Sequence, residues 1–402
     1  MRLPARTPSA TCVLGLDNIS PGLSTGRGCI GGMRTYLQDL ITHLPQVVPN
    51  ARVKLFTPSW SPAFELPSNG SVERIDCGDV PTSRAGRVWF EQTTLPKLVR
   101  ENGVDAWLGT CNTLPLRLSC ASALIVQSLQ FFSRPEAFSA PRRLYLQTAV
   151  PASVRRADAV VALSYSSRSE LLLRFQVPER KLWVIPHCLH DVFNPSAPAI
   201  ADHEVVTRVL GEDAPYILYV SALYPYKNHA RLIEAFARIA ERFPRHKLLI
   251  GGSDTPGWGR QDLARIAERF GVASRVILAG RLVQADMPAL YRRAELLAMP
   301  SLDETFGLPV LEAMAFGCPV LTSNISSMSE VARDAAILVD PASVSDIVGA
   351  LDAMLASQEL RTSLSQRGFK QAALFTREKM MQKFGEMLAS LLAPAQSRKE
   401  AA

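Results

Sequence analysis

The sequence predicts an α/β protein made of two doubly wound parallel sheets. Short apolar runs alternate with amphipathic helical stretches along nearly the whole chain. The alternation stops at the Pro- and Ala-rich stretch of residues 194–199 and then starts again. At 402 residues the chain is also too long for one ordinary core, so two domains are expected.

The elements follow in order. Cys12–Asp17 reads as a buried strand and 32–44 as a helix, with Tyr36, Leu37, Leu40, Ile41 and Leu44 on one face. Further strands are expected at 53–56, 106–108, 123–126, 159–163 and 183–185, with helices at 88–100, 141–157 and 167–175. The second series expects strands at 216–220, 247–250, 276–278, 296–299 and 318–322. Its helices are expected at 230–242, 262–270, 284–293, from Leu308, and near 343–356 and 359–373. This gives domains at 1–195 and 196–375, facing each other across a cleft. Residues 376–402 form a tail whose amphipathic segment 377–392 packs back across the first domain. No solenoid-length repeat occurs.

Composition narrows the function classes. Hydrophobic residues make up 47% and charged residues 20%, the balance of a globular protein. The seven cysteines (12, 29, 77, 111, 120, 188 and 318) are scattered and show no metal-ligand spacing, which points to a reducing compartment and no structural zinc. No apolar run follows Met1 to Arg6 and no stretch is long enough to span a bilayer, so the expectation is a cytoplasmic protein without a secretory signal. Residues 1–195 hold 21 Lys and Arg against 14 Asp and Glu, whereas the rest is balanced, so the net +7 lies entirely in the first half. Such a face suits anionic lipid or an acidic acceptor, a peripheral contact on the inner side of the cytoplasmic membrane. Nucleic acid is not expected, because no recognition motif accompanies the charge.

The richest chemistry lies in Ser301-Leu-Asp-Glu-Thr-Phe-Gly-Leu-Pro-Val-Leu-Glu312. Asp303 or Thr305 can cap a helix here, and Pro309 fits its first turn. Glu304 then sits in the loop ahead of the helix and Glu312 projects from it. Between them the N–H groups of Phe306, Gly307 and Leu308 lie at the positive end of the helix dipole, a seat for phosphate. Two glutamates eight apart also arise by chance. This pair, however, follows the buried run 296–299, at the carboxyl end of a parallel strand where α/β sheets bind ligands. Anion-binding amides between two hydroxyl-binding carboxylates suit a nucleotide-sugar. Gly26-Arg-Gly-Cys-Ile-Gly31 matches a dinucleotide fingerprint but lies too far past its strand, with Phe56-Thr57 where the acid belongs. It reads instead as a loop whose Gly31 and Gly32 let backbone N–H groups approach the cleft.

These segments resemble glycosyltransferase family 4, the retaining GT-B transferases with an E-x7-E signature. The likeness is densest over 216–340, in Tyr219-Val-Ser-Ala-Leu-Tyr-Pro-Tyr-Lys-Asn228, Ala279-Gly-Arg-Leu-Val283 and Leu290-Tyr-Arg-Arg-Ala294. It continues in the first half through Gly31-Gly32, Trp89-Phe-Glu-Gln-Thr-Thr-Leu-Pro96, 157–164 and Val184-Ile-Pro-His187. The resemblance implies that Glu304 contacts the donor sugar's hydroxyls and Glu312 the nucleotide's ribose. It also implies that Lys227 and the amides of Phe306, Gly307 and Leu308 hold the diphosphate. Gly31 and Gly32 would close from the other domain, and the base would lie near Arg281 to Val283.

The sequence departs from the family in three places. Ser221, Ala222 and Tyr226 occupy positions where members often carry arginine near the lysine. Gln127-Ser128 replaces a His-Asp or His-Asn pair whose histidine touches the donor sugar, making Gln127 a candidate catalytic residue that cannot titrate near neutral pH. His187-Cys188 stands where Asn-Gly is usual. No Asp-x-Asp pair is present to hold a cation, so metal-independent transfer without a cofactor is expected. The expected activity is transfer of a hexose, GDP-mannose being the first-choice donor, to a saccharide or lipid-linked acceptor in polysaccharide or lipopolysaccharide assembly. The alternative is a nucleotide-sugar-binding protein without transferase activity. A phosphorylase or epimerase fits less well, since no lysine is placed for pyridoxal phosphate.

Overall fold

The computed structural model describes residues 12–19, 32–48, 50–190, 193 and 202–393. The chain forms two compact units: Met1–Phe132, Phe138–His187 and Arg377–Ala402 in one, Ser133–Ala137 and Cys188–Thr376 in the other. The stretch 194–199, read from sequence as a linker, lies outside the described residues.

The first unit holds a seven-stranded sheet of β1 (Cys12–Asp17), β2 (Ala51–Thr57), β3 (Val72–Asp76), β4 (Ala106–Gly109), β5 (Ala121–Val126), β6 (Ala159–Ala162) and β7 (Leu182–Val184). Its order is β3-β2-β1-β4-β5-β6-β7 and all its pairings are parallel. Central parallel strands are covered on both faces, and β4 and β6 are accordingly buried along their whole length. Strand β3 (Val-Glu-Arg-Ile-Asp) was not expected: as an edge strand it keeps most of its side chains partly or fully exposed and carries no apolar run. The helix expected at 88–100 is two helices, Arg84–Thr93 and Leu95–Glu101, because Pro96 in the first turn of the second cannot continue the first.

The second unit holds β8 (Tyr216–Val220), β9 (Lys247–Gly251), β10 (Val276–Gly280), β11 (Leu296–Met299), β12 (Val320–Ser323) and β13 (Ala336–Val339). They run parallel in the order β10-β9-β8-β11-β12-β13. From β8 the chain winds outward to β10, then returns to lay β11 on the other side of β8, pairing Leu296 with Ile217 and Leu297 with Leu218. The winding therefore reverses between β8 and β11, as it does between β1 and β4 in the first sheet. Strand β13 and the helices Asp202–Leu210 and Ser326–Ala332 were not anticipated. The last of these carries three serines in seven residues, a composition that favours caps and turns over helix interiors.

Helix Arg377–Leu392 belongs to the first unit, as its amphipathic pattern implied. It buries Met380, Met381, Phe384, Met387, Leu388 and Leu391. Gly385 allows a close approach to helix Gly32–Val47, for a Cβ there would lie 3.0 Å from the Val47 carbonyl oxygen. Lys383 Nζ donates to the Val184 carbonyl at the end of β7 (3.0 Å).

Two adjacent side chains of helix Arg84–Thr93 fix the loop after β4. Thr113 Oγ1 donates to Glu91 Oε1 (3.0 Å). Gln92 accepts from Leu116 N–H (3.0 Å) and donates to Leu114 O (3.1 Å). The same loop holds Gln127 past β5: Asn112 Oδ1 accepts from Gln127 N–H (2.7 Å), and Gln127 Nε2 donates to Thr110 O (3.2 Å). Glu91 is fully buried, and burial, reinforced by Asp17 and opposed by the Thr113 hydrogen bond, pushes its carboxyl up to about 8. The unfolded chain ionises this group near pH 4.5, so the folded state pays an increasing cost as pH rises to 8 and a constant one above. Glu91→Gln is therefore expected to stabilise the protein, little at pH 5 and by on the order of a few kcal/mol at pH 8.5. Urea unfolding at the two pH values checks this; an equal effect at both would show that Glu91 is not held protonated.

Candidate functional site

The β8–β11 reversal brings two distant loops together. After β8 the chain makes a single 3₁₀ turn, Pro225–Lys227, and Asn228 follows at φ +66°, a left-handed conformation that asparagine tolerates. The buried Asn228 amide donates to Pro300 O (2.9 Å) and Pro341 O (2.7 Å), tying this turn to the ends of β11 and β13. Lys227 Nζ is thereby presented to the loop leaving β11.

That loop carries Glu304, whose Oε1 accepts from Lys227 Nζ at 2.5 Å. Both side chains are largely buried, 12% and 9% exposed, so the pair sits in a medium where charges interact more strongly than on an open surface. Ser301 Oγ donates to the same carboxylate oxygen (3.1 Å) and lies 3.1 Å from the Tyr219 hydroxyl, which donates back to Lys227 O (2.6 Å). Leu302 N–H donates to Tyr226 O (2.8 Å) and the buried Ser323 hydroxyl to Ser301 O (2.5 Å). Behind Tyr219 lies the ring of His229, 4.3 Å away between centroids, with Nε2 3.3 Å from Ser221 Oγ. Burial, helped by Lys227, lowers the His229 imidazole to about 3, so it stays neutral and adds no charge beside the lysine.

Helix Leu308–Ala315 begins at the end of this loop with Pro309 in its first turn. Its N-cap is Gly307 at φ +96°, not Asp303 or Thr305 as the sequence suggested. The left-handed turn at Gly307 places the helix start several residues beyond both, and Asp303 instead accepts from Ser133 Oγ within the same unit. Helix geometry leaves the first-turn N–H groups at Leu308 without an intrahelical acceptor. The Phe306 side chain is buried edge-on against Phe375 (5.7 Å), so only its backbone faces a ligand role. Glu312 is half-buried and accepts from Tyr291 OH (2.7 Å). Burial raises its carboxyl to about 7, against the Tyr291 hydrogen bond, which favours the ionised form.

Arg281 and Val283 follow β10, both exposed, Val283 at 62%. Gln127 lies in the first unit, held by the β4 loop. Gly32 opens helix Gly32–Val47, whereas Gly31 lies outside the described residues. His187 is buried edge-on to Tyr36 (4.5 Å) and lowered to about 4 by burial, a neutral packed ring rather than a charged one. The structure thus brings Lys227 into contact with Glu304 and sets Glu312 on the helix after it. Tyr219, Ser301, Tyr291, Ser326 and Ser327 were missed from sequence. Their one available signal was position, since Ser301, Ser326 and Ser327 lie just past the carboxyl ends of β11 and β12.

Chemically, the arrangement suits an anion and a polyol. A lysine ammonium carries three donors and a carboxylate about four acceptor sites, so the Lys227–Glu304 pair keeps capacity for phosphate oxygens and hydroxyls. The adjacent helix start favours further negative charge.

Residues 205–371 match the family model for glycosyl transferases group 1, and residues 30–193 match the model for glycosyltransferase family 4. The O-antigen chain mannosyltransferase B of Escherichia coli is 30% identical over 266 residues, 66% of this chain and 69% of that protein. The serotype-specific mannosyltransferase WbdA of Escherichia coli is 31% identical over 230 residues, 56% of this chain but 28% of that longer protein. Among solved structures, sucrose-phosphate synthase from Thermosynechococcus elongatus superposes with a TM-score of 0.75 at 19% identity, covering 98% of this chain and all of that one. That likeness establishes the two-unit GT-B fold. With both units matched by these models and two thirds of a mannosyltransferase covered, the chain belongs to glycosyltransferase family 4.

Proposed function

We propose that this glycosyltransferase moves a mannosyl group from GDP-mannose, with retention of anomeric configuration, to a saccharide or lipid-linked acceptor in O-antigen or related polysaccharide assembly. The observation that carries the reading is the largely buried Lys227–Glu304 pair at the reversal of the second sheet, one turn ahead of a helix N-terminus. The mannosyltransferase relatives support the choice of sugar and pathway class.

In this mechanism Lys227 and the amides of Phe306, Gly307 and Leu308 hold the diphosphate, and Glu304 holds the sugar's hydroxyls. As the sugar–phosphate bond breaks, negative charge grows on the leaving diphosphate. Preorganised N–H donors and the ammonium stabilise that charge more than they stabilise the intact donor, which lowers the barrier. Glu312 accepts from the ribose hydroxyls, and the base lies by Arg281 and Val283. No Asp-x-Asp pair is present for a bridging cation, and we read the reaction as metal-independent.

The acceptor belongs to the first unit, whose half of the chain carries all the excess positive charge. Trp89 and Leu144 stand 63% and 66% exposed there, with Arg142 and Arg143 beside Leu144 in sequence. Among the described residues no helix is long and apolar enough to cross a membrane. We read this unit as meeting an anionic cytoplasmic membrane surface peripherally.

Donor turnover over a panel of nucleotide-sugars tests the reading. GDP-mannose is expected to be used best, with Glu304→Ala and Lys227→Ala each lowering kcat at least a hundredfold. Tight donor binding without turnover on any acceptor would instead identify a non-catalytic binding protein, and near wild-type rates in both variants would sink the site assignment. Ionised Glu312 is the better acceptor for two ribose hydroxyls, and its carboxyl sits near 7. Binding of GDP-mannose, whose diphosphate does not titrate in this range, is therefore expected to tighten between pH 6 and 8 in the wild type and to be weaker and nearly flat in Glu312→Gln. Calorimetric titration across that range reads both. Retention on phosphatidylglycerol vesicles should fall steeply between low and 0.5 M salt; salt-insensitive retention would remove the charge argument.

A further inference from the structure

Helix Ser326–Ala332 opens on an unusual residue. Ser326 has φ +54°, the left-handed region that residues with a Cβ adopt rarely, and the preceding Ile325 is extended and offers no side-chain cap. What the conformation achieves is a contact with the neighbouring loop. Ser326 Oγ accepts from the backbone N–H of Glu304 (3.3 Å), while the buried Ser327 Oγ donates to the backbone carbonyl of Glu304 (2.8 Å). Next in line, Met328 closes over Gly307, its sulfur 2.7 Å from where a Cβ on that glycine would stand. Three consecutive residues therefore grip both peptide groups of Glu304 and the left-handed turn that starts the following helix.

We propose that Ser326 and Ser327 are positioning residues that set the Glu304 backbone, and through it the direction of the carboxylate toward Lys227 and the donor sugar. The inference rests on Glu304 being the sugar-binding acid. Strained backbone persists where surrounding contacts over-determine it, and such sites concentrate where geometry serves function. Helix closure alone would not explain the strain, because an unstrained residue can begin a helix. An acid that must meet the sugar within a fraction of an ångström does explain it.

Glycine adopts the left-handed region freely, so Ser326→Gly removes the hydroxyl and the strain together. The variant is expected to unfold in urea at the wild-type midpoint or above, to bind GDP within twofold of wild type, and to lose at least tenfold in kcat with the donor that the wild type turns over. Ser327→Ala should lower kcat three- to tenfold, and Ser327→Thr, which keeps the hydroxyl, should restore it to within twofold. If Ser326→Gly and Ser327→Ala both retain kcat within twofold while Glu304→Ala abolishes turnover, the positioning role is wrong and the site reading stands. A loss of kcat that simply follows a loss of stability also overturns it. If Glu304→Ala itself keeps turnover, both readings fall.

Discussion

In each sheet the order of parallel strands reverses once, and that reversal governs the second unit's chemistry. A parallel strand can join its neighbour only after the chain has crossed the sheet and returned, so its connection always leaves from the same edge. Where consecutive windings diverge, between β8 and β11, two such connections part and leave room between them. Lys227 and Glu304 are 77 positions apart and meet there because Leu297 pairs with Leu218. Asn228 then locks the arrangement by bonding the ends of β11 and β13.

The loop between β11 and its helix illustrates how an acid is held ready in a half-dry place. Removing a carboxylate from water is costly unless it is paired and hydrogen-bonded. Glu304 has both, an ammonium and the Ser301 hydroxyl. Its neighbours in the cluster are kept neutral: burial lowers His229 and raises Tyr219 well above the usual phenol range. The pair thus remains the dominant local charge. Glu312, eight positions later, follows a different rule, since the group that donates to it is the neutral Tyr291 phenol and burial holds it near the middle of the physiological range.

Much of this was legible in the sequence because parallel strands announce themselves. Runs such as Leu296–Met299 and Ala159–Ala162 are apolar on every side, and Pro309 after Gly307 marks a helix start. The edge strand β3 and the serine-rich helix at 326 carry no such mark, because one faces water and the other owes its form to tertiary contacts. The cap was misplaced for a related reason. Asp303 and Thr305 are good capping residues in isolation, but the left-handed turn at Gly307 decides where the helix begins. For hydroxyls such as Ser301, Ser323 and Ser327 position was legible at most and the bonding partner was not, since a serine in sequence does not say which carbonyl or carboxylate will reach it. Glu91 was visible within Trp89-Phe-Glu-Gln-Thr-Thr-Leu-Pro96, yet its burial and its hold on the β4 loop depend on strands far along the chain.

Helix Arg377–Leu392 also sets an order of events during synthesis. It covers helix Gly32–Val47 of the first unit and reaches β7 through Lys383, yet it is translated after the whole second unit. A nascent chain stalled between residues 340 and 376 already holds every strand of the second sheet while the first unit still exposes the apolar ground that Phe384, Met387 and Leu388 will occupy. The first unit to emerge from the ribosome is therefore the last to be completed. Until then its bare patch is the natural target of chaperones and proteases, so only chains translated to the far end of this helix can conceal it.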